Sequence, residues 1–197
     1  MVLGTAVGSA ADTRRIPTIR GGPALESTTD LDLALLVLRA VAGLTLAAHG
    51  WNKFFGGGRI PGTGRWFDSI GMQPGRLNAV LAASSEVGAG VLLALGLFNP
   101  FAAAGVIGVM VVAGWTVHRA NGFFIIKEGW EYVAVLAVMA LVSATLGPGD
   151  WSLDEALGIA DDLSGWTGFW IALLLGVGGG ATQMLVFFRP SKVASGD

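Results

Sequence analysis

Five stretches of this chain are long and apolar enough to cross a hydrocarbon core, and a globule of 197 residues has too little interior to bury them all. They run Leu31–Phe54, Leu77–Phe98, Phe101–Val117, Trp130–Leu146 and Trp166–Phe188. One helical crossing needs about 20 residues, with a range of about 17–25. Runs such as Val106–Gly114 do not alternate in polarity, so the strands of a closed barrel are excluded and helices remain. The fold class is therefore all-α, an integral membrane helical bundle. Composition agrees, with 53% hydrophobic and 13% charged residues against about 25% charged in a soluble domain.

Charge and cysteine usage remove whole classes of function. A net charge of −2 leaves no basic excess, so no nucleic-acid partner is expected. The chain has no cysteine, which rules out thiolate nucleophiles, cysteine-ligated iron–sulfur clusters and cysteine zinc sites.

Along the chain, residues 1–30 carry Arg14, Arg15 and Arg20 among Gly, Pro, Ser and Thr and read as a flexible tail. They lack the charged start and the apolar run of about 7–15 residues that mark a secretory signal, so the first span is expected to direct insertion. A transmembrane core follows over 31–147, an acidic loop over 148–165, a fifth span over 166–188 and a C-terminal tail over 189–197. Asn99-Pro100 predicts a tight hairpin between the second and third spans. Gly56–Arg76, rich in glycine and carrying Arg59, Arg65, Asp68 and Arg76, predicts a long irregular loop at one surface. The acidic loop holds Asp150, Asp154, Glu155, Asp161 and Asp162. Ser152 and Glu155 form a capping box there, and Leu153, Leu157 and Ala160 share a face, predicting a short interfacial helix. Trp51 and Trp130 are expected at one membrane boundary, Trp151 and Trp166 at the other. Arg and Lys gather on the side of the first loop, which predicts a cytoplasmic C-terminus and an external N-terminus.

Ionisable groups within spans are costly in lipid and are expected to face the bundle and find partners. Arg39, His49 and Lys53 of the first span fall within an arc of about 80° on one helix face. Glu86 stands alone in the second span, His118 closes the third, and Lys127, Glu128 and Glu131 open the fourth. At about 1.5 Å per residue, His49, Lys53, His118, Lys127, Glu128 and Glu131 lie near the first-loop surface. Glu86 and Arg39 lie deeper, close enough in depth for an Arg39–Glu86 ion pair if Arg39 extends upward. These residues predict a polar pocket among the first four spans, open toward the first loop. The competing reading makes them an interhelical clamp that sets helix register. With two histidines and no glutamate three residues before either, no di-iron carboxylate bundle is available. No metal site is expected, and bis-histidine haem between His49 and His118 has no porphyrin slot to support it. A histidine beside a carboxylate suits proton relay or a quinone headgroup better.

Small residues mark surfaces for close helix approach: Ser84/Gly88 in the second span and Gly176/Gly180, a G-x-x-x-G, in the fifth. The fifth span is expected to pack on a partner subunit or on the protein's own bundle.

His49-Gly50-Trp51-Asn52-Lys53 ends the first span, and Glu86 leads to Leu95-Gly96-Leu97. His118 is followed by Gly122-Phe123-Phe124 and Glu131, and Gly147-Pro148-Gly149-Asp150-Trp151-Ser152-Leu153-Asp154 closes the fourth span. In this order and spacing the residues resemble the DoxX family of small four-helix bacterial and archaeal membrane proteins, over roughly residues 31–155. The N-terminal tail and the fifth span depart from that pattern. The resemblance implies a DoxX-like four-helix core plus a fifth helix, a multi-pass protein of the bacterial cell (inner) membrane. It further implies association with respiratory oxidoreductases, since family members include a subunit of an archaeal terminal quinol oxidase and parts of thiosulfate–quinone oxidoreductases or of actinobacterial oxidative-stress complexes. It carries over Arg39, His49, Lys53, Glu86, His118 and Glu131 as the family-like polar set, without a settled catalytic residue.

Two functions are expected from this. The first is a non-catalytic accessory subunit of an aerobic respiratory oxidase or supercomplex. Such a subunit has no cofactor of its own, contacts quinone or lipid, and has membrane lipid and larger integral membrane subunits as partners. The second is a quinone-linked membrane oxidoreductase subunit in which His49, Glu86, His118 and Glu131 bind the headgroup and move protons. A transporter ranks behind both, because no inverted repeat or broken-helix pair is evident.

Overall fold

The computed structural model describes residues 28–189. The expected tails fall outside them, apart from Thr28–Asp30, which already belong to the first helix, and Arg189. The helices are α1 (Thr28–Phe55), α2 (Arg59–Ser69), α3 (Gly75–Leu95), α4 (Asn99–Ala113), α5 (Glu131–Leu146), α6 (Leu153–Ala156) and α7 (Gly165–Phe187). A π-helical turn, Gly114–His118, and a 3-10 turn, Arg119–Asn121, continue α4. Thr29–Phe55, Gly75–Leu95, Asn99–Asn121 and Gly165–Phe187 are long and apolar enough to cross a membrane. The other apolar helix, α5, has 16 residues and is packed among α1, α4 and α7, so protein rather than lipid surrounds much of it. The all-α membrane bundle read from the apolar runs is the observed architecture.

The packing order is a ring. α1 lies on α3, α3 on α4, α4 on α5, and α5 back on α1, while α7 lies against α4 and α5. A core of small and branched residues, among them Ala42, Leu46, Leu93, Ala103, Val106 and Ala140, fills the centre. Close approach depends on glycine, although not at the second-span pair expected from the sequence. Ser84 and Gly88 are exposed, and a Cβ at Gly88 would meet nothing within 4 Å. The α1–α3 contact instead joins Gly43 to Gly90, where a Cβ on either would collide with the other's carbonyl oxygen. A small-x-x-x-small spacing names a helix face without saying which face is covered.

The fifth-span pair does pack, and against the protein's own bundle. A Cβ at Gly176 would lie 2.7 Å from Ile107 Cβ, and one at Gly180 would lie 2.9 Å from the Gly108 carbonyl oxygen and 3.0 Å from Val111 Cβ, whereas one at Gly178 would meet nothing within 4 Å. Gly180→Leu is expected to destabilise the detergent-solubilised protein by about 1–3 kcal/mol, the usual cost of overpacking a filled site. Gly178→Leu should not lower its thermal midpoint, since leucine favours a helix over glycine, and equal midpoints for the two variants would show that α7 does not need this contact.

Gly56–Arg76 is not the irregular loop expected. Most of it forms α2, which packs on α3 and α1. Its glycines disfavour a helix taken alone, but Ile60, Gly64 and Phe67 recur at helical spacing and turn inward, and burial of that stripe overrides propensity. Gly64 lies against the backbone of Gly75 and Arg76, and Asp68 Oδ1 accepts from the Gly75 N–H at 2.7 Å, pairing a first-turn donor of α3. The end of α7 and Arg189 just beyond it strap onto the same corner. Gln73 N–H donates to Phe187 O at 2.8 Å and Arg189 N–H to Gly71 O at 2.6 Å.

At the opposite end the 147–154 segment folds into the bundle. Ser152 Oγ accepts from the Glu155 N–H at 3.1 Å, so the expected capping contact forms. The helix it starts is only four residues, however, and Ala160, buried beyond it, shares no face with the exposed Leu153 and Leu157. Asp154 is no solvated loop acid. It is fully buried, and its carboxylate accepts from Phe98 N–H at 2.7 Å and Asn99 N–H at 2.8 Å, the orphan donors at the start of α4.

Candidate functional site

The six ionisable residues singled out from the sequence separate into three places: Arg39 at one end of the bundle, His49, Lys53, Glu86 and His118 at a cavity near the other, and Glu131 on the 122–130 loop. Arg39 and Glu86 do not pair. Arg39, 1% exposed, lies level with the α3–α4 turn and donates from Nε to Pro148 O at 2.9 Å, from Nη1 to Ala94 O at 2.8 Å and from Nη2 to Trp151 O. Its distance along α1 from His49, about 15 Å at 1.5 Å per residue, puts it at the far end of the bundle. Gly96 permits this arrangement: its φ of +62° suits glycine, and a Cβ there would sit 2.7 Å from Arg39 Nη1. The same end of the bundle holds Asp154 and, bound through the Asn99 N–H, the pair Asn99–Ser143, in which Asn99 Nδ2 donates to Ser143 O at 2.8 Å and Ser143 Oγ to Asn99 Oδ1 at 3.1 Å. Asp32 accepts from Asp150 N–H at 2.8 Å. This end is an interhelical clamp: every group ties a helix to a loop or to another helix.

Glu86 pairs with Lys53. The Lys53 ammonium donates to both carboxylate oxygens, at 2.7 and 2.6 Å, joining the last turn of α1 to the middle of α3. Gly50, one turn before Lys53, makes the reach possible, since a Cβ there would lie 2.6 Å from Ala83 O and 2.9 Å from Glu86 Cβ.

The pair lines a cavity of about 430 Å³ toward the first-loop end of the bundle, within the roughly 300–1,000 Å³ usual for small-molecule sites. His49, Lys53, Glu86 and His118 all face it, joined by Tyr132 of α5 and Gln183 of α7. Trp66 and Phe67 of α2 cover it with Met72, and Leu46, Val109, Met110, Val133 and Leu136 form apolar walls. Tyr132 Oη lies 3.2 Å from His49 Nε2. His118 is carried in by the π-helical turn, whose extra residue rotates the downstream side chains by about 100° relative to a continuous α-helix. Its Nδ1 stands 2.6 Å from Glu128 O.

Glu131 does not join this group. Its carboxylate accepts from Ile125 N–H at 2.9 Å and holds the 122–130 loop closed, together with Glu131 N–H donating to Phe123 O. The adjacent residue, Tyr132, takes the place expected of it, because one residue along a helix turns a side chain by about 100°. Tyr132 is the only tyrosine in the chain and Gln183 the lone amide of an apolar span. A polar group isolated in a span was the signal that identified Glu86, and the same signal was present for both. Among the described residues, no group of three or more His, Asp or Glu side chains is placed to hold a metal ion.

An apolar-walled chamber with a covering helix and a ring of hydrogen-bonding side chains at one end suits an amphipathic guest with a polar head. Residues 34–119, from the first turns of α1 through the continuation of α4, match the DoxX family model. The match stops short of α5, of the 147–154 segment and of α7. No curated protein and no solved structure matches the chain.

Proposed function

We propose that this chain, whose residues 34–119 match the DoxX family model and whose long apolar helices suit a multi-pass membrane protein, is a quinone-linked membrane subunit of an oxidoreductase complex, its cavity receiving the quinone headgroup. The observation that carries this reading is the composition of the cavity wall. His49–Tyr132, Lys53–Glu86 and His118 supply polar contacts at one end of an otherwise apolar chamber covered by two aromatic rings. Quinones need this combination, with apolar surface for ring and tail and a few fixed polar groups for the oxygens. A histidine within hydrogen-bond reach of a phenol, close to an ion pair, is also an arrangement through which protons move.

The accessory-subunit reading is retained as the other half of the same proposal. The chain has no thiolate, and one of its two histidines has Nδ1 committed to a backbone carbonyl. Electron transfer is therefore assigned to a larger integral membrane partner, of the aerobic respiratory class that the family resemblance suggests.

The test is solvent extraction and mass spectrometry of the full chain purified in mild detergent, with chains that co-purify identified in the same sample. Bound quinone is expected in the wild type, and at least tenfold less in His49→Ala and in Glu86→Gln of equal thermal stability. Quinone absent from the wild type, or equally abundant in both variants, would overturn the cavity assignment. A quinone-free preparation that still captures respiratory subunits would leave the purely accessory function.

A further inference from the structure

A second hollow, of about 420 Å³, lies between the last turns of α4 and the first turns of α5. Its length is apolar, with Met110, Val111 and Gly114 on one side and Val133, Ala134 and Ala137 on the other. Gly114, Ala134 and Ala137 lack the bulk that would close the gap between the two helices. Trp115 and Trp130 frame one end, 49% and 42% exposed, and Trp130 is held edge-on against Phe123 with ring centroids 4.7 Å apart. Indoles favour the headgroup boundary of a bilayer, so the framed end lies at headgroup level and the rest of the groove at acyl depth. Arg119 stands at that end. Its guanidinium carbon is 4.0 Å from the centre of the Trp115 ring, the two residues being neighbours four apart along the turn. A guanidinium resting on an indole keeps its N–H fork open in its own plane. The ion pair found among the described residues is Lys53–Glu86, so no carboxylate among them occupies the fork of Arg119.

We infer that this groove is a binding site for an anionic phospholipid, one acyl chain lying between α4 and α5 and the phosphate received by Arg119. The inference is independent of the guest assigned to the cavity. An apolar groove that ends in a cation at headgroup level matches an apolar chain that ends in an anion, and phospholipid is the amphipath that surrounds the bundle. A guanidinium meets phosphate through two parallel N–H bonds, and basic pockets between membrane helices on the positively charged side hold anionic headgroups. The preference for a net negative lipid follows from the charge of this end, where Arg and Lys outnumber Asp and Glu and a headgroup ammonium is repelled. A helix of another subunit fits less well, because close helix approach needs small residues at the surface and two indoles stand on the rim. Met110 and Val133 line both the groove and the cavity, so the seated acyl chain packs on the outer side of the cavity wall.

The experiment is native mass spectrometry of the delipidated full chain in detergent, offered phosphatidylglycerol and phosphatidylethanolamine with identical acyl chains in equal amounts. One phosphatidylglycerol is expected to be retained in preference to phosphatidylethanolamine by about fivefold. Arg119→Gln should bring the two lipids level. Arg65→Gln, which removes a charge from the same end of the bundle but on α2, should leave the preference as it is. Ala137→Phe, which fills the groove without altering charge, should lower retention of both lipids. Equal retention of the two lipids by the wild type, or the same loss in Arg65→Gln as in Arg119→Gln, would overturn the inference, the latter by showing attraction to the charged end as a whole. A second measurement needs no variant: phosphatidylglycerol carrying a photoreactive acyl chain should label the segments Met110–Trp115 and Trp130–Ala137. Label confined to α1, α3 or α7 would place the lipid elsewhere and overturn the groove assignment. None of these outcomes bears on quinone retention in the cavity, so the two proposals fail separately.

Discussion

Replacing Arg39 with alanine is expected to destabilise the bundle by about 3–5 kcal/mol, the range measured when one partner of a buried charged network is removed. Its guanidinium is 1% exposed and donates to the carbonyls of Ala94, Pro148 and Trp151. Without it three carbonyl oxygens lose their donor where water is scarce, each at a cost of about 1–3 kcal/mol. The same three bonds hold the end of α3 and the 147–154 segment against α1, and through Asp154 the start of α4. Loss of the side chain should therefore free the whole of that end rather than one loop. The measurement is the thermal midpoint of the purified protein in detergent, together with proteolysis between Gly147 and Gly158. Arg39→Lys should recover little, because an ammonium cannot present the planar fork that reaches three carbonyls. A midpoint within a degree or two of the wild type would mean that the clamp is incidental to stability.

Gly43→Val carries the second large expected effect, about 3 kcal/mol, at the upper end of the usual overpacking range. A Cβ at Gly43 would collide with Gly90 O and stand 2.7 Å from Ala94 N. These are backbone atoms that no rotamer change moves aside, so α1 and α3 must separate. The consequence reaches the cavity, because the same two helices carry Lys53 and Glu86. The variant is expected both to melt earlier and to retain less quinone on purification. Gly88→Ala is the control on α3: it faces open space, and it should leave binding unchanged and lower the melting point not at all, since alanine favours a helix over glycine. A Gly43→Val protein as stable as the wild type would show that the helices tolerate a wider spacing than the one observed.

Much of the bundle was legible in the chain because lipid imposes one simple demand, that each crossing be long, apolar and internally hydrogen-bonded. That demand located the apolar helices, the Asn99-Pro100 hairpin and the Ser152 cap. It also isolated Glu86, since an acid in a span needs a partner. The identity of that partner was not legible. Arg39, His49 and Lys53 share a face of α1, and a face specifies direction without level. Level is set by the register of α1 on α3, which depends on where Gly43 meets Gly90 and Gly50 meets Ala83. In that register Lys53 meets Glu86 and Arg39 meets the α3–α4 turn.

The same distinction separates Glu131 from Tyr132 and Ser84/Gly88 from Gly43/Gly90. The order of residues alone places this chain in a membrane as helices, and it marks the few polar residues that such a solvent requires to be paired. How they pair is a property of the packed bundle. Packing divides one expected polar set into a clamp at one end, a cavity wall at the other and a loop tie at Glu131, turns a glycine-rich connection into the helix that covers the cavity, and brings Gln183 of α7 to its edge. The physical reason is that hydropathy is a property of each segment against its solvent, whereas pairing depends on rotations of about 100° and rises of about 1.5 Å per residue, and backbone contact between packed helices sets both.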